Sequence, residues 1–305
     1  MQARDYNRNN MISVVQLGTL TYENGLRLQQ RLVDLRKAGQ IGDVLLLLEH
    51  SPVITLGRNA KAANVLVSTE QLAARGVEVF ECDRGGDVTF HGPGQIVGYP
   101  IFDLRGFDRS QVPGVGSQEN SSKLPAPSSQ PDGSRLSAFG FRENGESSST
   151  RKTLGAVDYV RLLEEVLIRT CAEFGIATKR VAGLTGVWME IQPEAKIAAI
   201  GVHIARSVTS HGFALNVNTD LSYFNLIIPC GITAKPVTSM QKELGREVKM
   251  DEVAHSLARN FGEVFGREIV WIDTIEALLG YEVGVPMKVP AEVRRFRGED
   301  DLFLA

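Results

Sequence analysis

Short apolar segments and longer amphipathic segments follow one another irregularly along this chain, and their order constrains the fold more than any other feature. Residues 43–49 form an apolar run between Gly42 and Pro52, as expected for a buried strand. Residues 154–174 instead repeat apolar side chains at helical spacing and stop at Gly175. Because strands and helices do not alternate as regular β-α-β units, the pattern predicts an α+β fold rather than a doubly wound sheet.

The other elements are predicted from the same two periodicities. One helix is expected to begin after Ser68, which forms a plausible cap with Gln71 at the third position, and to end at Gly76. Further helices are predicted at residues 22–38, 253–265 and 274–279, and further strands at residues 53–56, 77–80, 186–191, 196–205 and 212–217.

Residues 109–152 differ in character from the rest of the chain. The stretch 118–131 is rich in Ser, Pro and Gln and has almost no large apolar side chains. Such a segment cannot bury enough apolar surface to offset the entropy of ordering it, so we predict a flexible insertion. The predicted layout is one folded domain over residues 11–282, interrupted by this insertion and followed by a C-terminal tail at residues 283–305.

Charge and hydropathy narrow the classes of function. A net charge of −3 and a pI near 6.0 give no electrostatic basis for binding nucleic acid or an anionic membrane surface. The longest apolar runs are far too short to cross a bilayer, and the polar first ten residues do not resemble a secretory signal. Three cysteines without short-range pairing suit a reducing compartment. We therefore expect a cytoplasmic protein, and the mitochondrial matrix is also compatible with the sequence.

Cys230 lies between a proline and a glycine, in a sequence typical of a constrained turn that can direct a thiol into a cleft. A thiol with a pKa of about 8.5 is only about 3% thiolate at neutral pH, and a nearby cation increases that fraction. Considered alone, a cysteine among isoleucines is more often a buried and inert side chain. Cys82 and Cys171 are given that second interpretation, because each is expected in a strand or helix beside apolar neighbours.

Lys196 begins the apolar strand predicted at residues 196–205. A lysine at the end of a strand is usually solvated, and nothing in the sequence alone brings it close to Cys230. If its side chain turned inward beside the thiol, its charge would lower the thiol pKa and it could serve as a general acid or base.

Residues 84–95 combine four glycines with ionic and polar side chains, which favours a ligand-binding loop over a bare hairpin. The glycines let the backbone approach a ligand and expose N–H donors. Ionic and polar groups are added by Arg84, Thr89, His91 and Gln95. A dinucleotide-binding loop is excluded, because the glycine spacing is wrong by one position and Pro93 removes a donor where phosphate would bind.

The histidines leave an alternative chemistry open. His91 and His211 each precede glycine in a motif-like segment, and either could act as the base of a cysteine hydrolase. The other three, His50, His203 and His255, look ordinary. No signature of such hydrolases surrounds the thiol, and no convergent Cys and His spacing predicts a zinc site.

Four segments occur in the order found in one enzyme family. They are RGGDVTFHGPGQ at residues 84–95, KIAAIG at residues 196–201, HGFALNV at residues 211–217 and PCGI at residues 229–232. Together they resemble the signature of the octanoyltransferases of lipoic acid synthesis. The resemblance extends over about residues 14–105 and 154–270. Its main departure is the insertion after Asp108, which touches none of the four segments.

The resemblance implies an α+β catalytic domain like that of biotin and lipoate protein ligases, with mixed sheets flanked by helices around an acyl tunnel. The implied reaction moves octanoyl from octanoyl-acyl carrier protein to a lysine of a lipoyl domain, through a thioester on Cys230, with Lys196 handling protons. The implied acceptors are the lipoyl domains of 2-oxoacid dehydrogenase E2 subunits and the glycine cleavage H protein. No cofactor, metal, nucleic acid or membrane is implied. The residues implied to bind substrate are Arg84, Gly85, Gly86, Asp87, Val88, Thr89, Phe90, His91, Ala199, Ile200, Gly201, Gly212, Phe213 and Ala214.

Two other functions are compatible with parts of this pattern. An ATP-dependent lipoate or biotin ligase shares the implied fold and uses a lysine but no cysteine nucleophile, so ATP consumption would distinguish it. A non-catalytic module that binds lipoyl domains would form no acyl-enzyme, and the presence of both Lys196 and Cys230 argues against it.

Overall fold

The computed structural model describes residues 10–107, 153–228 and 235–283. The predicted insertion, most of the predicted tail and the turn around Cys230 lie outside these residues. The strands are β1 (Met11–Leu20), β2 (Asp43–His50), β3 (Val53–Leu56), β4 (Glu78–Glu81), β5 (Val88–His91), β6 (Gln95–Ile101), β7 (Thr178–Val181), β8 (Leu184–Met189), β9 (Lys196–Ala205), β10 (Val208–Asn216) and β11 (Glu268–Trp271). The α-helices are α1 (Tyr22–Lys37), α2 (Thr69–Ala73), α3 (Ala156–Glu173), α4 (Met240–Leu244), α5 (Met250–Phe265) and α6 (Ile275–Val283).

Eight strands form one mixed sheet in the order β11-β1-β2-β6-β10-β9-β8-β7. The first three run parallel, and every other neighbouring pair is antiparallel. A second sheet places β3 between the parallel strand β4 and the antiparallel strand β5. Mixed sheets with helices distributed irregularly along the chain confirm the predicted α+β fold.

The central strand β2 is buried on both faces, which explains its uninterrupted apolar sequence. Leu45 and Leu47 pack in a core built with α3 and α5, whereas Val44, Leu46 and Leu48 pack in a second core with α1 and α6. Since successive side chains of a strand point to opposite faces, a strand between two helical layers must be apolar at every position. The predicted strand at residues 43–49 is confirmed.

Helix ends follow local sequence signals. Ser68 and Gln71 form a capping box at the start of α2, as predicted. The closing turn of this helix brings Gly76 to a φ of +64°, which glycine adopts without strain. At the start of α1, the Thr21 hydroxyl accepts a hydrogen bond from the Asn24 N–H. No helix in the described ranges is long and apolar enough to span a membrane.

The β9–β10 hairpin extends further than its sequence predicts. β10 begins at Val208 rather than at residue 212, because Val208 to His211 continue the antiparallel ladder with β9. The connecting residues Arg206 and Ser207 both have positive φ, at 54° and 66°. That is the twist required by a tight hairpin turn, but the usual Asn-Gly signal is absent. The two strands and a tight connection between them were predicted, but the position and type of the turn could not be predicted from composition.

Candidate active site

A pocket of about 490 Å³ lies between the glycine-rich loop and the strands β9 and β10. This volume includes space that is open to solvent at the mouth of the pocket. Its lining residues come from α1, the loop before β5, β5 itself, β6, β9 and β10. They are Tyr22, Arg84, Gly85, Gly86, Asp87, Thr89, His91, Val97, Tyr99, Ala199, Ile200, Gly201, His211, Gly212, Phe213 and Ala214.

The structure brings together all of the residues implied to bind substrate except Val88 and Phe90. Because strand side chains alternate, Thr89 and His91 line the pocket, whereas Val88 and Phe90 pack in a third apolar core beneath β3. Phe90 stacks on Tyr223 with 4.6 Å between ring centroids. Val88 and Phe90 therefore support β5 from the face opposite the pocket.

The glycines of the pocket permit close approach of backbone segments. A Cβ on Gly201 would lie 2.6 Å from the Gly85 carbonyl oxygen, and one on Gly212 would lie 2.1 Å from the Gly98 oxygen. The Gly85 N–H donates to the Val202 oxygen at 3.0 Å, which joins the loop to β9. The loop can lie against β9 because Gly201 has no side chain, and β10 can lie against β6 because Gly212 has none.

Arg84 is a buried cation whose hydrogen bonds, within the described ranges, all go to neutral oxygens. Its Nη2 donates to the Thr55 carbonyl at 2.7 Å and to the Thr55 hydroxyl at 2.8 Å. Nε donates to the same hydroxyl at 3.2 Å, and Nη1 donates to the Gly85 carbonyl at 3.1 Å. A guanidinium held in this way retains its positive field toward the pocket, where it favours electron-rich oxygens.

His91 is a buried and neutral histidine on the pocket wall. Burial lowers the pKa of His91 to about 3, and the nearby His50 and Arg84 contribute in the same direction. Its Nδ1 lies 2.7 Å from the Gln95 amide oxygen, and its Nε2 lies 3.4 Å from the Thr55 hydroxyl. At physiological pH it therefore offers a polar neutral ring rather than a second positive charge.

Behind His91 lie three polar side chains, Tyr22, His50 and Tyr99, that the sequence did not single out. His50 Nε2 lies 2.6 Å from the Tyr99 hydroxyl, and Nδ1 lies 3.1 Å from the Leu20 carbonyl oxygen. Burial lowers the pKa of His50 to about 4 and raises the pKa of both tyrosines. The Tyr22 ring stacks on His91 at a centroid distance of 6.4 Å. This end of the pocket is polar but uncharged at neutral pH.

Asp83 bridges two histidines at the edge of the pocket. Its Oδ1 lies 2.7 Å from His211 Nε2, and its Oδ2 pairs with His203 Nδ1. Arg58 can only donate to His203 Nε2, at 3.1 Å, so that nitrogen is an acceptor. Burial would raise the pKa of Asp83, but the interactions with His211 and His203, including a hydrogen bond from each, outweigh it and lower that pKa. His203, which looked ordinary in the sequence, is thus part of the site.

The carboxylate of Asp87 is held in place by hydrogen bonds within the protein. One carboxylate oxygen accepts from the Val88 N–H at 2.8 Å, and the other accepts from the Asn64 amide at 2.6 Å. The side chain therefore fixes the loop against the turn at Ala62–Asn64. Although Asp87 lines the pocket, its carboxylate is used for structure.

Lys196 is buried at the first position of β9, where a solvated side chain was the ordinary expectation. Its Nζ lies 4.6 Å from the centroid of the Trp188 ring, a cation–π distance. The backbone N–H of Lys196 donates to the Pro236 carbonyl oxygen at 2.8 Å, and its backbone carbonyl accepts from the Thr238 N–H at 2.9 Å. The described residues that follow the Cys230 turn therefore run alongside Lys196.

The two other cysteines differ from each other. Cys171 is fully buried in α3, and burial raises the pKa of its thiol to about 12, which confirms the inert interpretation. Cys82 lies just after β4 rather than within a strand and is only partly buried. Its thiol donates to the Leu56 carbonyl at 3.5 Å. The expectation of a buried strand position for Cys82 is therefore wrong. Within the described ranges, no group of three His, Cys, Asp or Glu side chains is arranged to hold a metal ion.

Comparison with known proteins identifies the family. The sequence profile of the lipoyl protein ligase A/B catalytic domain matches residues 21–115 and 147–262. An octanoyltransferase of Koribacter versatilis (strain Ellin345) is 51% identical over 96% of this chain and 100% of its own length. The chain belongs to the octanoyltransferase family. A second octanoyltransferase, from Acidobacterium capsulatum, is 50% identical over 88% of this chain and 96% of its own length. This octanoyltransferase family member is thus an acyltransferase that moves octanoyl groups in protein lipoylation.

Solved structures independently confirm the fold of this octanoyltransferase. A putative lipoate protein ligase from Thermoplasma acidophilum with bound lipoic acid aligns with a TM-score of 0.56 at 13% identity, over 89% of this chain and 93% of its own. A lipoate-protein ligase A bound with ATP aligns with a TM-score of 0.58 at 14% identity, over 90% and 94% of the two chains. At such low identity the agreement concerns the fold alone. The predicted ligase-like α+β domain is confirmed.

Proposed function

We propose that this octanoyltransferase takes octanoyl from octanoyl-acyl carrier protein, holds it as a thioester on Cys230 and transfers it to a lysine of a lipoyl domain. The observation that supports this most is the burial of Lys196 beside residues 236–238, which follow the Pro-Cys-Gly turn closely in the chain. On the other side of the turn, the Ile228 N–H donates to the Asn64 oxygen at 2.7 Å. Both described ends of the turn are thus held by hydrogen bonds.

In the first step, the thiolate of Cys230 attacks the carbonyl carbon of the donor thioester. The new carbon–sulfur bond forms, the bond to the carrier sulfur breaks, and the carrier leaves as a thiol with a proton from Lys196. A lysine cation near the sulfur favours the thiolate, and each unit by which the thiol pKa falls corresponds to about 1.4 kcal/mol. Exchange of one thioester for another is nearly balanced in energy, so the step requires no ATP.

In the second step, the neutral amine of the acceptor lysine attacks the carbonyl carbon of the acyl-enzyme. The carbon–nitrogen bond forms, the bond to Cys230 breaks, and Lys196 accepts the proton released by the amine. Cys230 is left as a thiolate beside a protonated Lys196, which is the starting state. Conversion of a thioester to an amide is downhill and makes the transfer effectively irreversible.

The pocket is proposed to hold the octanoyl chain. Ile200, Phe213 and Ala214 offer an apolar wall on β9 and β10, and Val97 extends it from β6. The positive field of Arg84 and the N–H groups of the glycine-rich loop suit the carbonyl end of an acyl group, where negative charge develops. Arg84, Gly85, Gly86, Thr89, His91, Ala199, Gly201 and Gly212 complete the proposed acyl and carbonyl site.

The proposed acceptors are the lipoyl domains of 2-oxoacid dehydrogenase E2 subunits and the glycine cleavage H protein. One fold neighbour, a bipartite lipoate protein ligase from Thermoplasma acidophilum, was solved in a study that included its E2 lipoyl domain. It aligns with a TM-score of 0.58 at 15% identity. We place the enzyme in the cytoplasm, with residues 11–282 as the catalytic domain and residues 109–152 as a flexible insertion within it.

Substitutions of Lys196 test the proposed roles. Lys196→Ala should raise the pKa of Cys230 and slow acylation; a shift of about two units would lower the thiolate fraction near neutral pH about a hundredfold. Lys196→Arg keeps the charge but cannot exchange a proton in this range, so it should acylate better than the alanine variant and still transfer poorly.

The measurements are single-turnover acylation and transfer without ATP, together with the pH dependence of iodoacetamide labelling at Cys230. If the labelling pKa and both rates are the same in wild type and Lys196→Ala, Lys196 has no role in either step. If transfer requires ATP, the enzyme acts as a ligase and the acyl-enzyme proposal is wrong.

A further inference from the structure

A continuous chain of buried amide side chains runs from His91 to the backbone beside Lys196. His91 Nδ1 contacts the Gln95 amide oxygen at 2.7 Å. The Gln95 amide nitrogen donates to the Asn216 side-chain oxygen at 2.9 Å, and the Asn216 amide nitrogen donates to the Thr238 carbonyl at 2.9 Å. Gln95 and Asn216 are both buried, so water does not compete for these bonds.

Two backbone carbonyls fix the orientation of the whole chain. A carbonyl oxygen can only accept, so the Asn216 amide nitrogen must face the Thr238 oxygen and its side-chain oxygen must face Gln95. Gln95 also donates to the Phe90 carbonyl at 3.2 Å, which turns its own oxygen toward His91. The hydrogen of His91 is therefore on Nδ1, and the lone pair of Nε2 can accept from the Thr55 hydroxyl at 3.4 Å.

Beyond Asn216, the same chain reaches the proposed catalytic lysine. The Thr238 N–H donates to the Lys196 carbonyl at 2.9 Å, and the Lys196 N–H donates to the Pro236 carbonyl at 2.8 Å. Thr238 is thus held on both sides: its carbonyl accepts from the Asn216 side chain, and its N–H donates to the Lys196 carbonyl. Without the Asn216 donor, the Thr238 carbonyl would lose its side-chain partner in a buried environment.

We propose that Asn216 is a positioning residue: it fixes the backbone of residues 236–238 against Lys196 and simultaneously orients Gln95 and His91 in the pocket. The inference deepens the proposed function and rests on it, since it assumes that Lys196 takes part in transfer. Asn216 would not touch the reacting atoms. It would act by keeping the lysine and the polar wall of the pocket in one fixed relation, and small misplacements of reacting groups are costly to rate.

Asn218 provides a matched control two residues away. Its amide nitrogen donates to the Val248 carbonyl at 2.7 Å, and its side-chain oxygen accepts from the Val248 N–H at 3.0 Å. It therefore holds a distant backbone segment with the same groups as Asn216, but that segment leads to α5 and not to Lys196. Changing either asparagine to aspartate keeps one oxygen acceptor, replaces the amide donor by a second oxygen and adds one negative charge, so the two variants differ only in which backbone segment they disturb.

The kinetic test compares Asn216→Asp with Asn218→Asp in steady-state octanoyl transfer at pH 8, where both new carboxyls are expected to be ionised. We expect Asn216→Asp to lower kcat about a hundredfold while KM for the octanoyl donor stays within about twofold of wild type. Asn218→Asp should retain kcat within about threefold even if its melting temperature falls equally. An equal loss of kcat in both variants, or a wild-type kcat in Asn216→Asp, would overturn the proposal.

Hydrogen exchange tests the same coupling without relying on activity. In Asn216→Asp, the amides of Lys196 and Thr238 should exchange at least about tenfold faster than in wild type, whereas Asn218→Asp should leave them unchanged. Unchanged protection at both amides would refute the positioning role whatever the kinetics show. If wild type fails to transfer octanoyl, the proposed function fails instead, and the exchange result still decides the coupling. Should Asn216→Asp not fold, Asn216→Ala provides the same comparison.

Discussion

At the scale of single residues, the buried charge of Arg84 depends on Thr55. One hydroxyl accepts from two guanidinium nitrogens and also lies 3.4 Å from His91 Nε2. Thr55→Val has nearly the same shape but removes these bonds, and we expect it to lower the free energy of unfolding by about 1.5–3 kcal/mol. Thr55→Ser keeps the hydroxyl and should lose less than about half of that. Urea unfolding measures both variants, and equal stability of the two would show that the hydroxyl does not hold Arg84.

The neutral histidines of the pocket make stability depend on pH. His50 has a pKa of about 4 in the folded protein and about 6.5 when unfolded, because burial disfavours its charged form. The unfolded state therefore binds more protons between these values, and the stability that His50 contributes is complete above pH 6.5 and is lost as pH falls toward 4. The free energy of unfolding of wild type, relative to that of His50→Gln, should fall by about 1.4 kcal/mol for each unit by which the pH is lowered through this window.

Urea unfolding at pH 7, 6, 5 and 4.5 measures that difference. His255→Gln is the control, because it removes an exposed histidine on α5 by the same substitution. A difference between wild type and His50→Gln that is constant over the range would mean that His50 is not held neutral by burial.

The sequence revealed which residues belong to the site only where the polar groups are close together in the chain. The segment from Arg84 to His91 was recognised because ionic and polar groups occur among glycines within a few positions. Tyr22, His50 and Tyr99 were not recognised, since they come from α1, β2 and β6 and meet only through the topology of the sheet. Val88 and Phe90 were included among the site residues, because the sequence did not show which side chains of β5 face the pocket.

At the scale of elements, the site depends on the close approach of β6 and β10. A Cβ on Gly212 would lie 2.1 Å from the Gly98 carbonyl oxygen and 2.6 Å from Pro100. Gly212→Ala must push two paired strands apart, so we expect a loss of about 1–3 kcal/mol in unfolding free energy and reduced transfer. Gly280→Ala in α6 meets nothing within 4 Å and should instead stabilise the protein by about 1 kcal/mol.

Thermal and urea unfolding of the two alanine variants decides this prediction. If Gly212→Ala is as stable as wild type, the strands have room that the geometry does not show. If Gly280→Ala is destabilising, the environment of α6 is tighter than described.

The sequence predicted β2, α3 and the start of α2, but it did not predict the strands β1, β5, β6, β7 and β11. The apolar run of β2, the stripe of α3 and the capping box of α2 each express one physical requirement that the residues themselves reveal. The short strand β5 was not predicted, because it lies in a segment dominated by glycine and polar residues. Its pairing with β3 is a long-range property, which local sequence does not specify.

At the scale of the whole molecule, we predict that residues 110–150 can be replaced by a short Gly/Ser linker with transfer largely intact. The flanking residues Phe107 and Leu154 belong to the same apolar core, so both ends of the linker remain anchored. The deleted sequence has few core-forming side chains, and doubling a loop length changes the closure free energy by only about 0.6 kcal/mol. Circular dichroism and transfer assays test the deletion. Loss of folding would indicate that Phe139 or Phe141 packs into the domain.

Octanoyl is proposed to pass through a thioester on Cys230, and intact-mass analysis after mixing with octanoyl-acyl carrier protein, without ATP, tests this step. Wild type should acquire one octanoyl group, mapped to Cys230 and removed when a lipoyl domain is added. Cys82→Ala and Cys171→Ala should acquire the same adduct, whereas Cys230→Ala should acquire none. A thioester that persists on Cys82 or Cys171 in Cys230→Ala, or product formation by that variant at the wild-type rate, would show that Cys230 is not the nucleophile.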